Sequence, residues 1–274
     1  MSETALYIGL SIAGLGGGFL AGFLGIGGGI IYILILPTVL RHIGIPEEEL
    51  TQYVIANSIF GTAIAALSGS ISLLRARDFY WKEVLLVGAS ALATAYLLLA
   101  TFVNTPYYSK QLFTGAVIFF LILILASTLI RRYSSRFFQR PARHASRWYV
   151  ITGATSGAMS ALSGLGGGTI TVPMLTAGLH LDIKRARSIS LGVIFIASTG
   201  ITIYNMIDQP EISIEYGRLG YVVLPISGTL SLGVLLGSPL GVWVSRRVAS
   251  RTISLCFIGF VAVVLLKKLI ELFQ

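Results

Sequence analysis

The chain has 274 residues, of which 55% are hydrophobic and only 11% charged, and its mean hydropathy is +0.84. Soluble globular domains carry about 25% charged residues, and apolar stretches long enough to span a bilayer recur here from end to end, so a soluble fold is excluded. The net charge of +9 comes from basic residues between the apolar stretches, where they indicate membrane orientation rather than nucleic-acid binding.

Charged residues divide the chain into eight apolar segments. In chain order they are 5–40, 51–74, 84–109, 111–130, 148–179, 188–207, 219–245 and 252–272. The longest polar connection, the basic stretch Arg131–Arg147, separates the fourth segment from the fifth. The pattern predicts an all-α polytopic membrane protein with an N-terminal membrane repeat at 1–133, a basic cytoplasmic linker at 134–147 and a C-terminal membrane repeat at 148–274.

Two glycine blocks indicate an internal duplication. The first glycine block, Gly25–Gly29, reads GIGGG, and the second glycine block, Gly164–Gly168, reads GLGGG. Each lies in the first segment of its half, and each is followed by an apolar stretch with a proline and then by a polar loop. The next segment opens in both halves with small polar residues, ANSIF at 56–60 and SISLG at 188–192.

The segments that carry the blocks are too long for single straight spans. Their 36 and 32 uncharged residues would form helices of about 54 and 48 Å, against a hydrocarbon core of ~30 Å. Each is therefore either a tilted helix with an extension or two pieces joined at the glycines, and a re-entrant hairpin fits the second alternative. With two hairpins, 15 of the 20 Lys and Arg residues fall on one side of the membrane, against 12 if all eight segments cross. The positive-inside rule therefore favours hairpins and places both termini outside.

Hairpins give each half one re-entrant element and three crossings, so the halves have opposite orientations. Inverted repeats with interrupted helices at the bilayer midplane are typical of secondary transporters. The helix that restarts after each block presents free N–H groups and its positive dipole end, which attract anions. The central parts of the spans carry no ionisable residue, which argues against a cation site or a proton relay.

The sequence therefore predicts an anion site built from backbone N–H groups and neutral side-chain donors. The predicted substrate-binding residues are Gly27, Gly28, Gly29, Asn57, Ser58, Ser163, Gly166, Gly167, Gly168, Thr169, Ser188 and Ser190. We expect no catalytic residue, metal or cofactor; the expected partners are a small anionic substrate and the lipid bilayer, with no nucleic acid.

Several of these residues have a second interpretation. The glycines could serve only close helix packing, which is the role predicted for Gly233, Gly237 and Gly241 of the seventh segment. Asn57 fits a ligand site or an inter-helix hydrogen bond equally well. The hydroxyls of Ser58 and Ser190 could bond back to their own helices.

The duplicated G-x-G-G-G block, the proline beyond it and the four-plus-four layout resemble the TauE/SafE sulfite exporter family, also known as the toluene-sulfonate uptake permeases. The stretch SGLGGGTITVP, Ser163–Pro173, is close to the family pattern. The first half departs from it, because Pro37 follows Gly29 by eight residues and Leu34 holds the expected place. The resemblance implies movement of sulfite, sulfonates, sulfur-containing carboxylates or related anions across the plasma membrane.

The leading hypothesis is a secondary transporter, working by alternating access, that exports such anions. Export needs no coupling ion, because a negative interior favours anion exit by about 2.3 kcal/mol per charge per 100 mV. A passive anion channel or an importer of related anions is the alternative. An intramembrane enzyme is disfavoured because it needs an acid–base set at depth, and a scaffold would leave the glycine blocks unexplained. The substrate, the direction and the oligomeric state stay open.

Overall fold

The computed structural model describes residues 3–105, 107–133, 146–210 and 217–272. In this part of the chain nearly all regular structure is helical. The elements in chain order are α1 (Glu3–Leu24), α2 (Gly29–His42), α3 (Glu47–Arg75), α4 (Trp81–Leu98) with a π-helical extension (Leu99–Val103), α5 (Lys110–Tyr133), α6 (Ser146–Ser163), α7 (Gly168–Gly178), α8 (Ile183–Ile207), β1 (Arg218–Leu219), β2 (Val222–Val223), α9 (Leu224–Arg247) and α10 (Ser250–Leu272).

Six of the described helices are long and apolar enough to cross a bilayer: Thr4–Leu24, Glu47–Arg75, Trp81–Val103, Ile183–Ile207, Leu224–Arg247 and Arg251–Ile270. Their outward faces are apolar, as on α9, where Leu232, Leu236 and Leu240 are more than half exposed. The prediction of an all-α, multi-pass membrane protein is confirmed. Among the six, α3 and α8 are the most enclosed, and they form the centre of the fold.

Both glycine blocks interrupt a helix. α1 ends at Leu24 and α2 begins at Gly29, while α6 ends at Ser163 and α7 begins at Gly168. Five of the intervening glycines have φ between 66° and 76°, a left-handed conformation that L side chains rarely adopt: Gly25, Gly27, Gly164, Gly166 and Gly167. The helix after each block lies alongside the helix before it. A Cβ on Gly17 of α1 would overlap the ring of Tyr32 on α2, and Thr171 Oγ1 of α7 donates to Ser156 Oγ of α6 at 2.8 Å.

Glycines let α9 pack directly against the backbone of α1. A Cβ on Gly233, Gly237 or Gly241 would overlap a backbone carbonyl oxygen of α1, which confirms the predicted packing face. The contact is reciprocal, because Gly14 and Gly22 of α1 meet the carbonyls of Leu230 and Ser238 on α9, and the two helices therefore run parallel.

An equivalent contact joins α6 of the second half to α4 of the first half. Gly153 of α6 meets the carbonyl of Val87, and Gly157 meets that of Ala91. Gly153 precedes the second glycine block by eleven residues, as Gly14 precedes the first. α6 and α4 also run parallel, so each interrupted helix packs through glycine against a span of the other half.

The structure corrects two segment boundaries. α8 begins at Ile183, because the Asp182 side chain caps it by accepting from the Lys184 N–H at 2.8 Å. Arg187, assigned to a polar loop by the sequence, therefore lies in the first turns of a helix. The seventh segment opens with the short β1–β2 pair before α9 begins. Residues 134–145 of the predicted linker lie outside the described part of the chain.

Candidate functional site

The two glycine blocks meet at the centre of the protein. A Cβ on Gly29 would lie 2.6 Å from the carbonyl oxygen of Gly164, and one on Gly168 would lie 2.8 Å from that of Gly25. The start of α2 therefore touches the second block, and the start of α7 touches the first. We call this contact between Gly25–Gly29 and Gly164–Gly168 the glycine crossing. Backbone approaches backbone there so closely that neither Gly29 nor Gly168 has room for a side chain.

Two serines join the glycine crossing to the enclosed spans. Ser58 Oγ of α3 donates to the carbonyl oxygen of Gly164 at 2.8 Å and lies 3.3 Å from that of Gly29. Ser190 Oγ of α8 donates to the carbonyl oxygen of Gly25 at 2.7 Å. The interpretation that these hydroxyls bond back to their own helices is wrong. Each bonds to the glycine block of the opposite half.

Thr62 of α3 and Ile194 of α8 occupy the middle of the glycine crossing. A Cβ on Gly27 would lie 2.6 Å from Thr62 Cγ2 and 3.5 Å from Ile194 Cγ2. A Cβ on Gly166 would overlap the same methyl group of Thr62. The sequence prediction did not include Thr62, although it lies one turn beyond Ser58 on the same face of α3.

Asn57 lies beside the glycine crossing, where its amide is fully hydrogen-bonded. Nδ2 donates to the carbonyl oxygens of Tyr53 at 2.7 Å and Tyr221 at 2.9 Å. Oδ1 accepts from the N–H of Val223 at 2.9 Å and from Ser227 Oγ at 2.6 Å. These bonds support an inter-helix hydrogen-bonding role for Asn57 rather than a ligand-binding role, because they connect α3 to β2 and α9.

The other predicted hydroxyls have local partners. Ser163 Oγ donates to the carbonyl oxygen of Met159 at 2.5 Å, and Thr169 Oγ1 contacts Met159 Sδ at 3.2 Å. Ser188 Oγ donates to the carbonyl oxygen of Asp78, on the side of α8 that faces α4. The structure thus brings the predicted glycines together with Ser58 and Ser190, whereas Asn57 and Ser188 bond to neighbouring elements. All twelve predicted residues are buried.

Around the glycine crossing lie buried hydroxyls that have no hydrogen-bond partner in the described part of the chain. They belong to Tyr32, Thr62 and Ser160. A Cβ on Gly28 would overlap the Tyr32 hydroxyl, and Ser160 precedes the second block by one turn, with its carbonyl accepting from the Gly164 N–H at 3.0 Å. A buried polar group without a partner costs about 1–3 kcal/mol. These hydroxyls are therefore candidates for ligand contact.

A buried arginine also touches the first glycine block. Arg187 is 0% exposed, and a Cβ on Gly25 would lie 3.0 Å from its Cα and would overlap its side chain. Its Nη1 donates to the carbonyl oxygen of Phe23 at 3.4 Å, while Nε and Nη2 have no partner among the described residues. A buried ionisable side chain therefore lies next to the first glycine block, where the sequence predicted none. The sequence signal that could have revealed Arg187 is Asp182, a typical helix N-cap residue. A helix that begins after Asp182 includes Arg187 and places it on the same face as Ser190, three residues later.

Comparison with known proteins shows the family of this chain. The sulfite exporter TauE/SafE family model matches residues 10–268. A probable membrane transporter protein of Methanocaldococcus jannaschii is 26% identical over 245 residues, covering 88% of this chain and 87% of the relative. A probable membrane transporter protein of Haemophilus influenzae is 24% identical over 262 residues, covering 93% of this chain and 94% of the relative. Because the family match covers nearly the whole chain, this protein belongs to the TauE/SafE sulfite exporter family of membrane transporters.

Proposed function

We propose that this protein is a secondary transporter that exports small sulfur-containing anions through a site at the glycine crossing. The observation that carries the proposal is the meeting of two interrupted helices beside buried hydroxyls that have no partner among the described residues. The first turns of α2 and α7 leave N–H groups without intrahelical acceptors, and their dipoles present positive ends to the same place. Such a pair of helix ends favours an anion.

The proposed transporter consists of two inverted repeats. The reciprocal contacts support this: Ser58 bonds to Gly164 as Ser190 bonds to Gly25. Equivalent residues of the two halves thus exchange partners, as expected for two copies of one unit related by a pseudo-two-fold axis.

Helix directions support opposite orientations of the halves. α3 runs parallel to α9, because Gly61 meets Leu230 and Gly69 meets Ser238. α1 also runs parallel to α9, so α1, α3 and α9 share one direction.

The remaining central helices run the other way. α8 is parallel to α4, because Gly192 meets Val84 and Gly200 meets Leu92, and α4 is parallel to α6. α3 and α8 cross in opposite directions, since Gly69 meets Leu191 while Thr62, further back on α3, lies at the level of Ile194. α1 and α6 therefore approach the glycine crossing in opposite directions, which supports two re-entrant hairpins that enter from opposite sides of the membrane.

Complete burial of the glycine crossing favours a carrier over an open pore. A carrier that alternates between two open states passes through a state in which the site reaches neither side, and relative movement of two inverted repeats produces that cycle. Transport, rather than catalysis, fits a site whose polar groups are hydroxyls, backbone groups and one guanidinium.

The test is flux in proteoliposomes that contain the purified full-length protein. Sulfite, sulfate, thiosulfate, taurine, sulfoacetate and acetate are offered separately. We expect saturable uptake of at least one sulfur oxyanion and acceleration by the same unlabelled anion on the opposite side. Flux that rises linearly with concentration, without counter-flow, would instead identify a channel.

A further inference from the structure

We propose that the Arg187 guanidinium supplies the positive charge of the anion site and binds two oxygens of the substrate oxyanion through Nε and Nη2. This inference rests on the proposed function and deepens it. It names an ionic ligand for the substrate and predicts the anion class that the site prefers.

The first support is the hydrogen bonding of the guanidinium. Arg187 is fully buried, and among the described residues only its Nη1 has a partner, the carbonyl oxygen of Phe23 at 3.4 Å. Burying a charge is costly unless it is paired and hydrogen-bonded. Nε and Nη2 lie on neighbouring positions of one planar fork, so together they can donate to two oxygens of the same anion.

Nearby acidic residues do not take that place. Asp78 and Asp182 are near enough to attract the charge of Arg187, and Arg246 is near enough to repel it. Among the described residues no carboxylate lies within ion-pair distance of Arg187. The Asp182 side chain instead caps α8 by accepting from the Lys184 N–H at 2.8 Å.

The second support is a difference between the two halves. A Cβ on Gly164 would lie 3.3 Å from the Cα of Ile55, just as one on Gly25 would lie 3.0 Å from the Cα of Arg187. Ile55 and Arg187 each lie three residues before the serine that bonds to the same block. An apolar side chain therefore suffices for this packing position in one half. The guanidinium of Arg187 has no counterpart in the first half, so packing at this position does not require it.

The third support is the position of Arg187 relative to the basic surface. The first turns of α8 lie next to the end of α9, where Lys184 Nζ donates to the carbonyl oxygen of Arg246 at 3.4 Å. Positive residues on this predicted cytoplasmic side raise the local concentration of anions. An anion that enters from this side reaches Arg187 at Gly25 and then the rest of the glycine crossing.

The chemistry predicts a preference for oxyanions. A guanidinium fork matches two oxygens on one sulfur or carbon atom, whereas a halide can accept only as a single point. Wild-type protein should therefore bind methanesulfonate or sulfite more tightly than bromide.

The experiment measures the affinity of purified full-length protein for methanesulfonate, sulfite and bromide, with thermal stability recorded for each variant. Arg187→Ile copies the side chain of the other half and should retain the fold, but it should lose roughly 10- to 100-fold in methanesulfonate affinity, the range for losing charge-assisted hydrogen bonds. Arg187→Lys keeps the charge and loses the fork, so it should bind methanesulfonate more weakly and reduce the preference over bromide. Lys110→Gln removes an exposed charge that lies next to Glu47, away from this basic surface, and should keep both the affinity and the preference.

The outcomes separate this inference from the proposed function. Wild-type affinity in Arg187→Ile, with oxyanion binding intact in the parent protein, would overturn the assignment of Arg187 alone. The assignment of Arg187 is also overturned if Arg187→Ile fails to fold and Arg187→Lys keeps the full methanesulfonate affinity and the full preference over bromide. If the parent protein binds none of the three anions, the proposed function and the assignment both fail.

Discussion

Ser58 in the first half donates a hydrogen bond to the carbonyl oxygen of Gly164 in the second half, at 2.8 Å. Its counterpart Ser190 donates to Gly25 at 2.7 Å. The carbonyls of left-handed glycines have no place in a regular helix ladder, so at membrane depth they need hydrogen-bond donors from elsewhere. The two serines meet this need and hold the interrupted helices against α3 and α8.

Removing either hydroxyl should therefore destabilise the protein. Ser58→Ala and Ser190→Ala each leave a buried carbonyl without its donor, and we expect each to lower the free energy of unfolding by about 1–3 kcal/mol. Thermal unfolding of detergent-purified variants measures this. Ser72→Ala is the matched control, because Ser72 Oγ bonds within its own helix to the carbonyl of Ser68 and its loss should be nearly neutral. Equal stability of all three variants would contradict the prediction.

Loss of the hydroxyls without partners should have the opposite effect on stability. Tyr32→Phe and Thr62→Val remove buried hydroxyls that have no partner within the described ranges, so the folded protein should be as stable as the parent or more stable. If these hydroxyls donate to the substrate, anion affinity should fall roughly 5- to 10-fold. Wild-type affinity in both variants would place the site elsewhere.

Membrane topology can be tested by cysteine accessibility in a Cys256→Ser background. If α1 and α2 form a re-entrant hairpin, cysteines at Ser2 and Glu48 should react with an impermeant reagent from the same, outer side. A cysteine at Lys82, beyond the crossing of α3, should react from the opposite side, together with one at Ser135. Labelling of Ser2 and Glu48 from opposite sides would show that α1 and α2 complete a crossing, and the inverted-repeat proposal would fail with it.

Local sequence signals predicted most of the fold but only part of the site. The signals for the fold involve residues close together in the chain, so each can be read within one segment. They are the long uncharged segments, the helix-breaking glycines and the four-residue spacing that begins at Gly233. The contacts of Arg187 with Gly25 and of Ser58 with Gly164 join residues more than 100 positions apart. The sequence shows that such residues are polar, but their partners depend on how α3 and α8 cross. Asn57 illustrates this limit. That the residue is an asparagine does not tell whether it binds a ligand or forms a structural hydrogen bond, whereas its neighbours in the structure do.

The two roles of glycine can be separated by a matched pair of substitutions. Gly28 has an ordinary helical φ of −69°, and a Cβ there would meet the Tyr32 ring and no other residue among its nearest atoms. Gly28→Ala should therefore fold, displace the Tyr32 hydroxyl and weaken anion binding. Gly237 faces the backbone carbonyl of Leu15 on α1, which cannot move without separating two spans. Gly237→Ala should lower stability by about 1–3 kcal/mol, the usual cost of overpacking.

The measurements are thermal stability and anion affinity for both variants, with Gly115→Ala as control because a Cβ there would have nothing within 4 Å. Affinity should fall selectively in Gly28→Ala, while in Gly237→Ala expression and stability should fall and the protein that remains folded should bind normally. The reasoning depends on what each new methyl group meets: a side-chain hydroxyl at the proposed site in one case, a helix backbone in the other. If Gly28→Ala loses stability and keeps its affinity, the glycines of the crossing serve packing, and the anion must bind away from them.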